Sequence, residues 1–177
     1  MPIISAIVQA AKQNGLRFLV IGGHAVAHHH YSRTTEDTDL LIATEDRDGW
    51  IATITGLGYG LFHDGGKFLQ FKPVVGDGWR LDLMLVNQET FQKMFAASET
   101  GTLEGMSVAM PSLAHLLAMK LHALKNAGGI RTLKDMNDVV NLLVNNRVDV
   151  SSEEFRQLVL KHGTIEIYTK LATACGS

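Results

Sequence analysis

Two aspartates lie one residue apart in a stretch that otherwise reads as a buried strand. They are Asp37 and Asp39 in "DTDLLI". Alternate side chains of a strand share a face, so the two carboxylates can converge, with their Cα atoms about 6 to 7 Å apart. Two like charges at this separation repel each other, and a divalent cation between them is the simplest explanation for the pair.

A third aspartate interrupts another apolar segment. Asp82 lies between two leucines in "WRLDLMLV", and an unpaired buried carboxylate is costly. If the two strands are neighbours, the three carboxylates meet at one edge of a sheet and form an all-oxygen site suited to Mg²⁺. The alternative is structural: Asp37 caps a turn, Asp39 lies on a solvated edge, and Asp82 pairs with Arg80 or another cation.

A pair of glycines precedes the first two aspartates. Gly22 and Gly23 follow the apolar "FLVI" and precede "HAVAHHHY", which is predicted to form a short helix. Backbone N–H groups at such a turn are open to an anion, and the helix N-terminus favours negative charge, so the turn predicts a phosphate site. Glycine in such turns can also serve geometry alone. His24, the next residue, can contact a phosphate or a base, or serve only as a polar helix residue.

A lysine falls within an apolar helical stripe. In "LAHLLAMKLHALK", Lys120 lies among Leu116, Leu117, Leu121 and Leu124 at helical spacing. A lysine is rarely buried without a partner. Either its stem is buried and its ammonium reaches the rim, or the ammonium is directed at a triphosphate or at the aspartate cluster.

Basic residues dominate the segment before Asp135. The stretch from Glu104 to Asp135 has no acidic residue between its ends, and its later part holds four basic ones: Lys120, Lys125, Arg131 and Lys134. In the following helix we expect one buried stripe, made of Leu133, Met136, Val139, Val140 and Leu143. Asp135 and Asp138 then face away from this stripe, where surface ion pairing with Arg131 explains them.

The elements that would position these residues follow from periodicity. Helical spacing begins near Ile3, "RFLVI" and "TDLLI" read as strands, and a helix covers "DRDGWIATITGL". Two apolar runs flank Asp64-Gly65-Gly66 and predict a hairpin. We expect an α/β (α+β) fold: a small mixed β-sheet with flanking helices over residues 1–110, followed by a C-terminal helical region over residues 111–177 packed on that core.

Composition excludes several classes of protein. The 177 residues are 46% hydrophobic and 19% charged, with a formal net charge of -2, so the chain can bury a core and is not a generally basic nucleic-acid coat. No apolar stretch is long enough for a membrane span, and no signal peptide is recognisable. The single cysteine, Cys175, cannot form an internal disulfide. We therefore expect a cytoplasmic location without membrane association.

These residues resemble the signature of the nucleotidyltransferase superfamily related to DNA polymerase beta. That signature is an apolar residue, Gly, then Gly or Ser, a gap of roughly nine to thirteen residues, and Asp-x-Asp followed by apolar residues. The matching residues here are Ile21-Gly22-Gly23, thirteen intervening residues, and Asp37-Thr38-Asp39-Leu40-Leu41-Ile42. Asp82 fits the third carboxylate of the family, on a later strand.

Within the superfamily, two segments resemble minimal nucleotidyltransferases and the abortive-infection type toxins of prokaryotic toxin-antitoxin systems. Arg33-Thr34-Thr35 before the aspartates is similar to their "R-x-T-x-D-x-D" segment. A later motif of these proteins, a lysine followed by "R-x-x-K-D-x-x-D", maps onto Lys120, Arg131, Lys134, Asp135 and Asp138. The chain departs from the pattern at Gly23, where many relatives have serine, and it is shorter than the usual toxins.

The resemblance implies transfer of a nucleoside monophosphate from an NTP, with ATP as the expected donor, and release of pyrophosphate. It implies two Mg²⁺ ions held by Asp37, Asp39 and Asp82, with Asp82 on the acceptor side. The remaining residues are expected to bind the nucleotide: Gly22, Gly23, His24, Arg33, Thr35, Lys120, Arg131, Lys134 and Asp135. Asp135 is expected to orient Lys134 or Lys120 if it does not meet the nucleotide itself.

The resemblance leaves the acceptor open. A protein side chain, an RNA end and a small molecule are all compatible with it, as are a toxin or antitoxin partner and assembly with a second copy of the chain. From a different class, the protein could be a non-catalytic binding module that uses its helical half as an interface. The three intact carboxylates argue against that alternative, because without a ligand they only destabilise the fold.

Overall fold

The computed structural model describes residues 3–126, 128 and 130–176, with the side chains of residues 130 and 131 left undescribed. The chain forms two compact units. The first comprises the chain up to Ala25 together with residues 33–112, and the second comprises residues 26–32 and the chain from Leu113 onward. No helix within the described residues is both long and apolar enough to cross a membrane.

The first unit is built on a five-stranded mixed sheet. Its strands are β1 (Leu19–Val20), β2 (Asp37–Ala43), β3 (Tyr59–Asp64), β4 (Phe68–Pro73) and β5 (Arg80–Val86). Their order across the sheet is β1-β2-β5-β4-β3. β2 and β5 run parallel, whereas β1 pairs with β2, β4 with β5, and β3 with β4 in antiparallel fashion. The expected α/β fold with a small mixed sheet is confirmed.

Helices and a second hairpin complete this unit. They are α1 (Ile3–Gln13), α2 (Gly22–His28), which continues into the second unit, α3 (Arg47–Gly56), α4 (Gln88–Ala96), β6 (Glu99–Leu103) and β7 (Met106–Met110). A 3-10 turn over Thr44–Asp46 precedes α3. The sequence predicted the β3–β4 hairpin and α3, but it did not predict α4 or β6, the partner of β7.

Alternation along β5 determines which side chains enter the core. Leu81, Leu83 and Leu85 are buried, and they lie in one apolar cluster with Leu69 and Phe71 of β4. Side chains alternate between the two faces of a strand, so the residues between these leucines occupy the opposite face. Asp82 therefore points away from the apolar cluster that fixes its strand.

The second unit is helical. It contains α5 (Leu113–Asn126), α6 (Ile130–Asn145), α7 (Glu153–His162) and α8 (Ile165–Cys175). The stripe predicted for α5 is confirmed, because Leu116, Leu117, Leu121 and Leu124 are buried. The N-cap of α7 is Ser152, whose hydroxyl accepts a hydrogen bond from the Phe155 amide.

The stripe expected on α6 is confirmed in part, because Val139 and Leu143 are buried. Leu133 is 71% exposed, however, whereas Asp135 and Asp138 are buried. The sequence assigned the aspartates to the solvent-facing side because carboxylates are rarely buried without a partner. The structure supplies that partner from α5, as described below.

Candidate active site

The two strands that carry the three aspartates are neighbours, as the hypothesis of a shared carboxylate site requires. In the parallel pair β2–β5, Asp39 is the register partner of Asp82, and Asp37 is the partner of Arg80. Asp37 and Asp39 share a face because they are two residues apart on one strand. All three aspartates are half-buried, so the face they share is sheltered without being closed.

Asp82 is held by a residue that sequence reasoning missed. Nε2 of Gln70 on β4 donates a hydrogen bond to Oδ2 of Asp82 at 3.0 Å, and the two residues are register partners. Arg80, the alternative partner proposed for Asp82, lies over the Phe62 ring instead. A polar residue between the buried Leu69 and Phe71 was the available signal.

The turn at Gly22 contacts the carboxylate of Asp39 directly. Gly22 has a φ of +62°, and a Cβ added there would lie 1.9 Å from Oδ2 of Asp39. The backbone is joined at the same place, because the Ile21 amide donates to the carbonyl of Asp39 at 2.9 Å. Glycine is therefore required at this position both for its positive φ and for the space that Asp39 occupies.

Gly23 is tightly enclosed as well. A Cβ at this position would lie 2.7 Å from Cβ and 2.8 Å from Oγ1 of Thr35, and 3.3 Å from Nη1 of Arg33. A serine at this position, which many of the nucleotidyltransferases that the sequence resembles have, would need Thr35 to move. Thr35 in turn donates through Oγ1 to the carbonyl of Asp37 at 3.3 Å, and Arg33 donates to the carbonyl of Thr34 at 3.2 Å.

His24 lies beside the same turn with an aromatic neighbour. Its ring stacks on Trp79 with centroids 5.9 Å apart and an interplanar angle of 16°. Burial lowers the pKa of His24; the Glu104 charge opposes this shift, and the Arg33 charge adds to it. Nε2 is buried and makes no hydrogen bond within the described part of the chain. The lowered pKa favours the neutral form of the ring that stacks on Trp79.

The three carboxylates are not yet arranged to bind one cation. In the described residues the oxygens of Asp37, Asp39 and Asp82 do not all lie within 4.8 Å of one another, so binding one ion requires rotation of at least one side chain. The donor set fits Mg²⁺ in kind, because it consists of carboxylate oxygens only.

The second unit contains a buried ionic trio. Nζ of Lys120 on α5 lies 2.7 Å from Oδ1 of Asp135 and 2.7 Å from Oδ2 of Asp138, both on α6. The three side chains are 12%, 7% and 1% exposed. The expectation that Asp135 and Asp138 form surface ion pairs is therefore wrong, while the interpretation that Asp135 orients Lys120 matches this contact.

Two other residues assigned to the nucleotide lie on α6. Lys134 is exposed. The side chain of Arg131 lies outside the described residues, so its expected role is neither supported nor opposed. Lys120, Lys134 and Asp135 all belong to the helical unit, whereas the glycine turn, His24, Arg33, Thr35 and the three aspartates belong to the first unit.

No protein-family model and no curated protein matches the sequence, but solved structures match the fold. An antigenic nucleotidyltransferase-like protein from Paracoccidioides brasiliensis aligns with a TM-score of 0.60 at 14% identity, covering 98% of this chain and 90% of its own. ANT(2'')-Ia, described as an antibiotic-resistance factor, aligns in its complex with adenylyl-2''-tobramycin with a TM-score of 0.58 at 16% identity, covering 98% of this chain and 95% of its own. The lincosamide antibiotic adenylyltransferase LnuA, bound to lincomycin, aligns with a TM-score of 0.55 at 16% identity, covering 78% and 93%. The chain therefore has the fold of the nucleotidyltransferase superfamily.

Proposed function

We propose that the protein is an Mg²⁺-dependent nucleotidyltransferase that transfers a nucleoside monophosphate from an NTP, with ATP as the expected donor, to an acceptor hydroxyl. The observation that carries this proposal is the register of β2 and β5, which makes Asp39 and Asp82 partners across two parallel strands beside the Gly22 turn. Carboxylates on adjacent strands can hold a metal ion, and the neighbouring glycine turn can hold the phosphates bound to it.

The metal would be held by Asp37, Asp39 and Asp82, with two ions as the expected number. When bound, Mg²⁺ supplies positive charge that offsets the charge developing on the phosphate oxygens. Asp82 has a separate task in this proposal. Because Gln70 donates to its Oδ2, Asp82 is oriented to accept the proton of the acceptor hydroxyl.

The glycine turn would hold the β and γ phosphates of the nucleotide. Gly22 and Gly23 present backbone amides without a Cβ in front of them, and Arg33 approaches Gly23 closely enough to add a positive charge. Thr35 braces the same segment through the carbonyl of Asp37. His24 would stack with Trp79 to border the nucleotide.

The roles proposed for the helical unit depend on the ionic trio. Lys120 would neutralise charge on the triphosphate, and Asp135 would set its position. Two carboxylates around one ammonium give the trio a net negative charge, which opposes a triphosphate, but the ammonium has a third N–H donor that phosphate can accept. Lys134 and Arg131 are proposed as further cations for the same triphosphate.

Two kinds of acceptor, each with its own biological setting, are compatible with this proposal. ANT(2'')-Ia is described as an antibiotic-resistance factor, and LnuA as a lincosamide antibiotic adenylyltransferase. These descriptions support a small-molecule acceptor. The "R-x-T-x-D-x-D" resemblance supports a toxin-antitoxin setting of the abortive-infection type, with a protein or RNA acceptor and a toxin or antitoxin partner. The non-catalytic alternative predicts no transfer to any acceptor.

The test supplies each α-labelled NTP with MgCl₂ and cell extract, and follows which species acquires label. The proposal expects label with the unaltered chain, loss of label with Asp39→Asn and Asp82→Asn, and retention with Asp48→Asn, whose side chain is 93% exposed. A parallel measurement is thermal stabilisation by NTP with Mg²⁺. Absence of both label and stabilisation would reject the enzyme and favour the binding module.

A further inference from the structure

A groove between α5 and α7 of the helical unit is open to solvent. It has a volume of about 840 Å³. Its apolar lining comes from both helices and from the loop before α7, and includes Leu113, Ala114, Leu117, Val148, Phe155 and Leu158. Leu117 and Phe155 are buried and form the floor of the groove. An open apolar groove on a helical surface favours a binding partner.

Four residues of α7 that line the groove form a single helical stripe. They are Glu154, Gln157, Leu158 and Lys161, at the i, i+3, i+4 and i+7 positions that place side chains on one face of a helix. Glu154 lies in the first turn of α7, and Lys161 lies in the last turn. The stripe is therefore acidic at one end, basic at the other, and uncharged in the middle.

The two charged residues of this stripe are available to a partner. Glu154 and Lys161 are exposed, and neither forms an ion pair within the described part of the chain. The other charges of the helix differ in this respect, because Glu153 is already paired with Arg156. An apolar groove whose two rim charges are unpaired and opposite in sign selects for a partner with the reverse order of charges.

The neighbouring titratable groups keep this polarity. Asp149 also lines the groove at its acidic end, and hydrogen bonds from the hydroxyl and the amide of Ser151 lower the pKa of its carboxyl, which favours the ionised form. At the basic end, burial lowers the pKa of His162, which favours the neutral ring. Lys161 is therefore the main charge at the basic end.

The order of residues on the stripe is self-complementary. When two copies of one helix pack antiparallel about a two-fold axis, the residues of one copy meet those of the other in reverse order. With the axis between Gln157 and Leu158, Glu154 of each copy faces Lys161 of the other copy, and Leu158 faces Gln157. Both charged contacts then join opposite signs.

We infer that this face of the helical unit is the interface of a two-fold symmetric dimer, in which α7 of each copy lies in the α5–α7 groove of the other. The inference is independent of the proposed nucleotidyltransferase function. Two helices from each copy would enclose the apolar lining of both grooves, in the manner of a four-helix bundle. Because α7 has 10 residues, it is only about 15 Å long. The contact is therefore smaller than that of a permanent dimer, and we expect a dissociation constant in the micromolar range.

The first experiment measures the mass of the chain by sedimentation velocity, at concentrations from about 1 to 200 µM that bracket such a constant. The unaltered chain is expected to show a reversible equilibrium between monomer and dimer. Glu154→Lys and Lys161→Glu each place like charges opposite one another at both symmetric contacts. Each substitution should weaken the dimer at least about tenfold.

A mixture of these two variants gives a result that a folding defect cannot imitate. In Glu154→Lys both charges of the stripe are positive, and in Lys161→Glu both are negative. A heterodimer of the two variants therefore restores opposite signs at both contacts. The equimolar mixture is expected to dimerise nearly as well as the unaltered chain, although neither variant does so alone. The double variant Glu154→Lys with Lys161→Glu should again dimerise with itself.

The controls separate loss of the interface from loss of the fold. Lys170→Glu makes the same charge change as Lys161→Glu at an exposed position of α8, in the same unit and outside the groove. It is expected to dimerise like the unaltered chain. Unfolding temperatures are measured for every variant, and all are expected to be stabilised by NTP with Mg²⁺ to the same extent.

Three outcomes would overturn this inference. A monomer at every concentration would leave the groove to another ligand. A dimer that both charge reversals leave unaffected would place the interface elsewhere, and a mixture of the two variants that stays monomeric would exclude the antiparallel pairing of α7. None of these outcomes bears on transfer of label from an NTP, so the proposed function is tested separately.

Discussion

Asp39 and Asp82 are register partners across the parallel strands β2 and β5. The contacts around them are unequal: Asp39 lies against the Gly22 turn, whereas Asp82 accepts a hydrogen bond from Gln70. We therefore propose that Asp39 serves the phosphate side of the candidate site and Asp82 the acceptor side. This asymmetry allows the two residues to be tested for different functions.

Removing either carboxylate is expected to abolish transfer while leaving the fold intact. Asp39→Asn and Asp82→Asn should each lower the rate by at least about 100-fold, because a lost metal ligand removes several kcal/mol of transition-state stabilisation. Without metal, each variant should be at least as stable as the unaltered chain, since one of two like charges has gone. Labelled transfer and thermal unfolding check these effects. A marked loss of stability in the metal-free Asn variants would assign the carboxylates to the fold instead.

Gln70 is expected to act as a positioning residue. Gln70→Ala should lower kcat roughly tenfold or more, as expected when a hydrogen bond to a charged group is lost, while KM for the NTP stays nearly constant. Gln70→Glu should be worse, because a second carboxylate would oppose Asp82. Steady-state kinetics separate the two constants, and Gln9→Ala on the exposed side of α1 is the matched control. A change confined to KM would contradict the assignment.

Substitutions at Gly15 and Gly22, which have similar φ angles, can distinguish backbone strain from steric contact. Gly15 and Gly22 have φ values of +66° and +62°, so alanine at either position adds about 1 to 2 kcal/mol of backbone strain. Only Gly22 has a side chain in the way, because its Cβ would lie 1.9 Å from Asp39 whereas nothing lies within 4 Å at Gly15. Gly22→Ala should therefore destabilise the chain more and abolish nucleotide-dependent stabilisation. Equal unfolding temperatures for the two variants would show that the Asp39 contact is unimportant.

The sequence predicted those parts of the site whose residue types were anomalous locally. Asp82 between two leucines and glycines before "DTDLLI" are visible without any partner. Gln70, a polar residue between two buried apolar ones, signalled only that its side chain lies on the other face of β4. Its contact with Asp82 could not be predicted, because it depends on the register of β4 against β5.

The N-terminal part of the α6 stripe was predicted wrongly for a related reason. Counting apolar residues placed Leu133 inside and the aspartates outside, since burial of carboxylates is unfavourable on its own. The counter-charge that reverses this preference, Lys120, lies on α5. A helix face defined by an ion pair between two helices cannot be assigned from either helix alone, although the buried lysine signalled that a partner existed.

The Lys120 trio is expected to contribute strongly to stability. Lys120→Met should cost about 3 to 5 kcal/mol in the free energy of unfolding, because the buried Asp135 and Asp138 both lose the ammonium they share. Lys125→Met, an exposed position of the same helix, should change it by at most about 0.5 kcal/mol. Chemical denaturation measures both values.

A second substitution identifies the source of that cost. Adding Asp138→Asn to Lys120→Met should recover part of the lost stability, because one of the two buried carboxylate charges is removed. If the double variant is as unstable as the sum of the single variants, the trio does not act as a unit. If Lys120 also contacts the triphosphate, stabilisation by NTP with Mg²⁺ should be smaller in the double variant than in the unaltered chain.

The helical unit is expected to lose stability in mild acid through His162. Burial lowers the pKa of His162, and the charges of Lys161, His122 and His115 lower it further; burial also lowers the pKa of His115. A histidine whose folded pKa lies below its unfolded value of about 6.5 contributes stability that is complete above that value and is lost as the pH falls through the folded pKa. The unfolding temperature should therefore decrease between about pH 7.5 and 5.5, and less so in His162→Gln. High salt should reduce this decrease only slightly, since burial, the largest cause, is not screened. A decrease in His162→Gln equal to that of the unaltered chain would place the acid sensitivity elsewhere.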